Sequence, residues 1–347
     1  MTDAFSASLS AVKGVPSYLR KNKVSVGLIA GTFVLALLAF VWKGYELGGL
    51  ASVVIGDQGD TLTFTSLVYQ AIDNLFHRPM NLGYGLFFFN DPSPLASTVA
   101  PYGLAVAVLP IYLLTGFDLE LTMNIYILAT FALTAWAVFL LARHLLRVSP
   151  AIGIIAGLAV AFSQFRFAHV VHIETLSTHF YLLCLYLLHR FIDEPCRKWA
   201  VWLGVMFWLT FFASGYMGYM FIVTAGLVLG AVFIFRREAF TQQLFRQALV
   251  ALILTAVISL PFLSMRFQKA DAVGGYSVET IQNYSATPAT GSPAPPSSIS
   301  GWPRAATSAP AANAPCFSAS HRCCSRFSPG GCAPAVRPPP NPRSSAR

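Results

Sequence analysis

The feature that most limits the fold of this chain is a series of about eight long apolar runs separated by short polar segments. The first run, 24–42, would extend roughly 28 Å as a helix, which is enough to cross the hydrocarbon of a bilayer. Only 11% of the residues are charged, against about 25% in soluble domains. The later runs are 98–115, 122–143, 150–163, 174–192, 199–213, 217–235 and 247–264. The sequence therefore predicts an all-α polytopic membrane protein with about eight transmembrane or re-entrant helices.

The basic residues between the runs predict the topology. Lys and Arg are enriched in cytoplasmic loops, so we expect the polar and basic 1–23 segment to be a cytoplasmic N-terminus. A secretory signal has a shorter apolar core followed by a cleavage site of small residues, so 24–42 is predicted to be an uncleaved first helix. Three later basic clusters are also expected at the cytoplasmic face. They are Arg143 and Arg147; Arg190, Arg197 and Lys198; and Arg236, Arg237 and Arg246.

This topology requires an odd number of crossings between Lys43 outside and Arg143 inside, yet two apolar runs lie between them. The first of these runs, 98–115, contains Pro101 and Pro110. Because proline interrupts helices, we expect 98–115 to be re-entrant or to lie at the membrane interface. The alternative is that 143–147 departs from the charge rule, which is a statistical bias.

The 286–347 tail differs in composition from the rest of the chain. It holds 13 of the 22 prolines and contains arginine but no lysine and no acidic residue. Natural linkers can be rich in Pro and Ser, but they rarely combine Cys and Arg with a complete lack of Asp, Glu and Lys. Its four cysteines match no zinc-binding spacing. We therefore expect a membrane domain at 24–285, followed by a disordered tail that was read out of frame.

The 43–97 segment is predicted to be a long outer loop that contains an interfacial helix at 61–77. Apolar side chains recur in this helix at helical spacing, which gives it one face suited to the membrane–water interface. They are Phe64, Leu67, Val68, Ala71, Ile72 and Leu75.

Asp57 and Asp60 lie in a Gly-rich turn ahead of this helix. Asp60 could cap the helix, since a carboxylate at that position accepts hydrogen bonds from the first free amides. Capping does not explain Asp57. Two carboxylates near a membrane surface are suited to proton abstraction from a hydroxyl, or to binding a cation beside a phosphate. We therefore predict Asp57 and Asp60 as catalytic residues and leave a divalent cation open.

A second polar cluster comprises Arg166, His169, His172 and Glu174, between two apolar runs on the face assigned outside. Ionisable groups at membrane depth are costly and usually face a cavity or a partner. The spacing is not the His-Glu-x-x-His pattern of metalloproteases, so the question of a metal stays open. We expect these residues to bind a phosphate or a sugar. The alternative is that their polar ends extend to the interface without a ligand.

Small residues form a turn at 214–219, which reads Ser-Gly-Tyr-Met-Gly-Tyr. Such residues let helices approach closely, so this turn is predicted to be a site of tight helix packing.

Several function classes lack their motifs in the membrane part. There is no phosphate-binding Gly loop, no Cys-x-x-Cys pair and no Gly-x-Ser-x-Gly elbow, so ATPase, redox and hydrolase functions are without support. No basic patch is interleaved with stacking aromatics on a soluble surface, so we expect no nucleic-acid partner.

The layout resembles the GT-C superfamily of integral-membrane glycosyltransferases, in particular bacterial members of the dolichyl-phosphate-mannosyltransferase and YfhO-like type. Three stretches carry the resemblance. They are Gly59-Asp60-Thr61-Leu62-Thr63-Phe64, the 162–169 stretch with His172, and Asn283-Tyr284-Ser285-Ala286-Thr287-Pro288. The resemblance covers about 24–288.

The resemblance implies transfer of a sugar from a polyprenyl-phosphate donor at the outer face of a bacterial inner membrane. Membrane lipid and the lipid-linked sugar would be the partners. Asp57 or Asp60 would be the base of an inverting transfer, Arg166 would contact the phosphate, and Glu174 would be the second-loop carboxylate. Members of the superfamily usually have more helices and a C-terminal soluble part, so the activity of this chain stays open. The alternatives are a transporter or flippase of lipid-linked glycan and a non-catalytic membrane scaffold.

Overall fold

Helices account for the secondary structure of the part of the chain that the structure, a computed structural model, describes: residues 23–45, 49–56, 59–85, 95 and 101–273. No strand occurs in these ranges. The predictions for 1–22, for Asp57 and for the 286–347 tail lie outside the described residues. In chain order the α-helices are α1 (Lys23–Trp42), α2 (Asp60–His77), α3 (Tyr102–Leu114), α4 (Leu119–Leu145), α5 (Pro150–Ala161), α6 (Gln164–Ala168), α7 (Ile173–Leu176), α8 (Thr178–Asp193), α9 (Arg197–Ala213), α10 (Gly215–Phe235) and α11 (Gln242–Val273).

The predicted all-α class is confirmed, and most described residues of each predicted apolar run lie on helices. Five segments are long and apolar enough to cross a membrane. They are Lys23–Trp42, Leu119–Leu145, Pro150–Ala168, Gly215–Phe235 and Gln242–Met265. The helices α3, α8 and α9 have 13, 16 and 17 residues. Eight crossings and the orientation of the chain therefore remain predictions.

The three basic clusters lie at one end of the helix bundle. Asp193, at the end of α8, accepts contacts from His144 Nε2 at 3.2 Å and from Arg236 Nη1 at 3.1 Å. Because His144 ends α4 and Arg236 follows α10, the C-terminal ends of three helices meet at Asp193. We call this the basic end. The grouping agrees with the prediction that these clusters face the same side of a membrane.

The opposite end, which we call the site end, contains the start of α4 and the start of α8. Tyr126 in α4 shares a hydrogen bond with Ser177, the residue before α8, at 2.8 Å between the hydroxyl oxygens. Helices α8 and α9 are joined by the short 194–196 turn, and farther from that turn Cys184 Sγ lies 3.2 Å from Thr210 Oγ1. The two helices therefore run antiparallel. The last turn of α9 therefore also lies at the site end.

Both ends of α3 lie near the site end. Its first turn is so close to α9 that a Cβ on Gly103 would lie 2.4 Å from Leu209 O and 2.6 Å from Ala213 N. After its last turn, the hydroxyls of Thr115 and Thr122 lie 2.7 Å apart, which ties α3 to the start of α4. A helix of this length extends only about 20 Å, against about 30 Å of hydrocarbon. That 98–115 is re-entrant or interfacial, which would leave α4 alone between Lys43 and Arg143, stays a prediction.

Glycines let neighbouring helices touch at other crossings as well. A Cβ on Gly157 in α5 would lie 2.4 Å from Ala135 O in α4. At the start of α10, a Cβ on Gly218 would lie 2.5 Å from Phe211 Cδ2 in α9. The tight packing predicted for the 214–219 turn is confirmed. Between membrane helices such contacts replace the burial of apolar surface from water as a source of association.

We expect Gly103→Ala to destabilise the fold by about 1–3 kcal/mol, because the added methyl group would overlap backbone atoms of α9. The matched control is Gly226→Ala in α10, where nothing lies within 4 Å of an added Cβ and where alanine favours the helix. Thermal unfolding of both variants in detergent checks the expectation. Equal melting temperatures for the two variants would show that the α3–α9 contact is not as close as described.

Candidate functional site

Helix α2 is the helix predicted for 61–77, and it begins one residue earlier, at Asp60. The residue before it, Gly59, occupies the cap position, so Asp60 is the first residue of the helix. The interpretation of Asp60 as an N-cap is therefore wrong. Its side chain is 60% exposed, and its Oδ2 lies 3.4 Å from His172 Nδ1.

The polar cluster that contains His172 follows α5 as two short helices, α6 and α7, with bends between them. His172 immediately precedes α7, and His169 immediately follows α6. The ring of His169 stacks on Phe165 at 4.0 Å between centroids and lies 5.9 Å from the His172 ring. Thr61 Oγ1, one residue after Asp60, donates to Val171 O at 3.4 Å. The structure thus brings together the two polar segments that the sequence identified separately.

Glu174 lies on α7 beside these residues, and it is buried, with 8% of its surface exposed. Burial raises the pKa of Glu174, because the charged carboxylate loses its hydration. The negative charge of Asp60 raises this pKa further. The backbone amide of Glu174 and the two histidines lower it in part. The Oε2 atom has no hydrogen-bond partner among the described residues. We call Asp60, His169, His172 and Glu174 the acid–histidine cluster.

Arg166 lies apart from the acid–histidine cluster, although the sequence predicted that it would bind the same ligand. The residue is 3% exposed. Its Nη1 donates to Leu176 O and its Nη2 to Thr130 Oγ1, both at 3.0 Å. The guanidinium also lies 4.8 Å from the centroid of the Phe131 ring. These contacts join α6 and α7 to α4, and only Nε lacks a partner in the described part of the chain. Contact with a phosphate stays a prediction that this geometry does not support.

A positioning residue that sequence analysis missed is Asn124, in the second turn of α4. It is fully buried, and its amide makes three hydrogen bonds to the 49–56 segment. Nδ2 donates to Leu50 O at 2.6 Å and to Val53 O at 2.8 Å, and Oδ1 accepts from Ile55 N at 2.6 Å. The only sequence signal was an amide side chain in an otherwise apolar run, where polar groups usually have a structural or functional partner.

The described residues provide no group of three His, Cys, Asp or Glu side chains that could hold a metal ion. The Asp60–His172 pair would supply two ligands, whereas hard cations such as Mg²⁺ and Ca²⁺ take about six oxygen ligands. The cation that the sequence left open is therefore not assigned to these residues, and no chemical step is derived through it.

Comparison of the chain with protein-family models, with curated proteins and with solved structures gives no match. Function has to be argued from the acid–histidine cluster itself. The cluster offers the exposed carboxylate of Asp60, which His172 orients, and the ring of His169 beside His172. It also contains the buried carboxyl group of Glu174. Such a set can accept a proton from a hydroxyl and can donate hydrogen bonds to sugar or phosphate oxygens.

We expect Asn124→Ala to release the 49–56 segment from α4. The substitution removes three hydrogen bonds and leaves the buried Ile55 N unpaired, at about 1–3 kcal/mol if it stays unsatisfied, whereas the part-buried carbonyls of Leu50 and Val53 can bind water. Amide hydrogen exchange of 50–56 should accelerate strongly. Asn124→Asp keeps an acceptor for Ile55 N but sets a carboxylate oxygen against the carbonyl oxygens of Leu50 and Val53, so it should also accelerate exchange of 50–56. Unchanged exchange in both variants would contradict the role of Asn124.

The raised pKa of Glu174 predicts a pH-dependent stability. The folded state holds this proton more tightly than the unfolded state, so the stability contribution is complete below the ordinary value of 4.5 and declines as the pH rises through the folded-state pKa. Glu174→Gln, which is neutral at every pH, should melt at a higher temperature than the unmodified chain at neutral pH. The difference should vanish near pH 4, which is about the ordinary glutamate pKa. A difference that does not change between these pH values would contradict the burial of this carboxyl group.

Proposed function

We propose that this chain forms the membrane part of a glycosyltransferase that takes a sugar from a polyprenyl-phosphate donor at the site end. The observation that carries the proposal is the pairing of Asp60 with His172 at 3.4 Å. This contact joins the first residue of α2 to the bend between α6 and α7, and both places belong to stretches that resemble GT-C enzymes. Five membrane-length helices agree with a lipid-linked donor, because they would hold the cluster at a bilayer.

In the proposed reaction Asp60 is the general base. Its carboxylate accepts the proton of the acceptor hydroxyl while the acceptor oxygen attacks the anomeric carbon of the donor sugar. The bond from that carbon to the phosphate oxygen breaks, and its electron pair leaves with the polyprenyl phosphate. Attack opposite the leaving group inverts the configuration at the anomeric carbon. His172 orients the carboxylate, which is 60% exposed on its side chain and so accessible to an acceptor.

The other members of the acid–histidine cluster have binding roles in this proposal. His169, stacked on Phe165, presents a ring nitrogen beside His172 for a sugar hydroxyl or a phosphate oxygen. Glu174, buried and with its pKa raised by that burial, can donate a hydrogen bond to the sugar when it is protonated. Arg166 supports the bend that carries these residues through its bonds to Leu176 and Thr130. In this scheme it is a positioning residue.

We expect Asp60→Asn to lower donor cleavage by at least about 100-fold, because removal of a general base costs about 10²–10⁴ in rate. The double substitution of Asp57 and Asp60 by Asn should abolish it. The measurement is the release of polyprenyl phosphate from short-chain polyprenyl-phosphate mannose and glucose in membranes that contain the chain.

The matched control is Asp73→Asn, on the same helix, whose carboxylate pairs with His77 and Arg78 rather than with the cluster. It should cleave the donor at the rate of the unmodified chain. Cleavage that survives the double substitution, or that is absent from the unmodified chain, would overturn the proposal. Donor translocation without cleavage would instead favour the transporter or flippase.

A further inference from the structure

The basic end carries an excess of exposed positive charge. The structure brings together the C-terminal ends of α4, α8 and α10 at Asp193. It adds the start of α11, where Gln243 Nε2 donates to Pro195 O at 2.8 Å across the turn between α8 and α9. The exposed cations on these segments are Arg143, Arg147, Arg197, Lys198, Arg236, Arg237 and Arg246.

Two of the three described acidic residues at this end are engaged with other partners, whereas Glu238, in the turn after α10, is exposed and makes no ion pair with the described residues. Asp193 pairs with His144 and Arg236. Glu194 pairs with Arg190 and accepts a hydrogen bond from Trp199 Nε1, both at 3.2 Å. Of the seven exposed cations only Arg236 has a carboxylate partner among the described residues. The described surface therefore has seven exposed cations against three carboxylates, Asp193, Glu194 and Glu238.

The position of two of these cations opposes the local stability of their helix. Arg197 and Lys198 form the start of α9, and no acidic residue lies in its first turn. A helix N-terminus carries partial positive charge, so cations there are unfavourable. Stability of α9 does not explain why two cations occupy this position, whereas an anionic partner outside the helix does.

Exposed aromatic rings lie beside the cations. The Arg237 guanidinium lies 5.5 Å from the centroid of Phe233, and Lys198 Nζ lies 4.8 Å from the centroid of Trp199. Phe235 is 82% exposed and Phe245 is 60% exposed, close to Arg236 and Arg246 in sequence. A soluble polyanion would use the charges and leave these rings in water. A phospholipid uses both, because its phosphate meets the cations while its acyl chains cover the rings.

We propose that the basic end binds the headgroups of anionic phospholipids, with Arg197, Lys198 and Arg246 as the phosphate contacts and Phe235 and Phe245 against the acyl chains. Leu244, near the start of α11, packs in one apolar cluster with Ala200 of α9, so the helices that carry the three cations are neighbours. The inference does not depend on the proposed transfer reaction, which uses the other end of the bundle.

The test is lipid binding by the purified full chain. Native mass spectrometry in neutral detergent would compare retention of phosphatidylglycerol with retention of phosphatidylcholine. Each cation near an anionic surface contributes about fivefold in affinity. The triple variant Arg197→Gln, Lys198→Gln, Arg246→Gln should therefore bind phosphatidylglycerol on the order of 100-fold more weakly. Its binding of phosphatidylcholine should not change.

Two controls keep the test specific. A variant with Arg304, Arg322 and Arg326 replaced by Gln loses the same charge elsewhere and should retain phosphatidylglycerol. Thermal unfolding in phosphatidylcholine nanodiscs should give the triple variant a melting temperature equal to or above that of the unmodified chain, since α9 loses two unfavourable cations. Soluble glycerol phosphate should not compete at the concentrations at which the lipid binds.

Equal loss of binding in both charge variants would overturn the proposal, because net charge alone would then explain retention. Full competition by glycerol phosphate would also overturn it, since the acyl chains would then contribute nothing. A triple variant that binds phosphatidylglycerol normally and is folded would show that the lipid contacts lie elsewhere.

Discussion

The hydrogen bonds that α4 side chains make to neighbouring irregular segments determine the shape of the site end. Asn124 holds the 49–56 segment, Tyr126 reaches Ser177, and Thr130 accepts from Arg166. All three residues are buried within two and a half turns of one helix. In an apolar interior an unpaired amide, hydroxyl or guanidinium costs several times what its hydrogen bond contributes at a wet surface. The segments on either side of α4 therefore have few alternative positions, and Asp60 and His172 meet as a consequence.

The two ends of the bundle are held by different kinds of interaction. At the basic end, His144, Asp193 and Arg236 form ion pairs, and the two partners of the Arg236–Asp193 pair are about half exposed. Exposed ion pairs contribute little and are weakened by salt, so they group the helix ends without fixing them rigidly. At the site end the bonds are buried and made largely to backbone. The difference suits a site that needs fixed geometry at one end and a surface that adapts to lipid at the other.

Much of the fold followed from periodicity, and the site followed only in part. Apolar runs predicted the helices, and the helical spacing from Phe64 to Leu75 predicted α2 within one residue. Thr65, Gln70 and Asn74 do not belong to this apolar series, yet all three are buried. Asn74, for example, donates to Tyr84 O at 2.7 Å. Periodicity identifies the apolar face of a helix but not whether a second element covers the polar face.

The contacts of Arg166 and Asn124 were not predicted from the sequence: Arg166 was assigned to the site, and Asn124 was not identified. Arg166 stands among residues that do form a cluster, yet its guanidinium turns inward, because the single-turn helix α7 leaves the carbonyl of Leu176 without an intrahelical partner. Asn124 stands in an apolar run and carried little signal, yet its three bonds join segments about 70 residues apart in sequence. Both assignments depend on backbone groups that irregular segments leave free, and side-chain patterns do not contain that information.

The acid–histidine cluster contains two carboxyl groups in unlike surroundings, and in the proposed reaction this difference would give them separate roles. Asp60 has most of its side chain in solvent and a histidine beside it, so an incoming hydroxyl can reach it. Glu174 is buried below, where desolvation raises its pKa and favours the neutral form. A neutral carboxyl group donates a hydrogen bond, and a carboxylate accepts one. In the proposed reaction the buried Glu174 would donate a hydrogen bond to the sugar and the exposed Asp60 would accept the proton of the acceptor hydroxyl. The fold produces this difference in surroundings by burying α7 against α4 while α2 begins in the open.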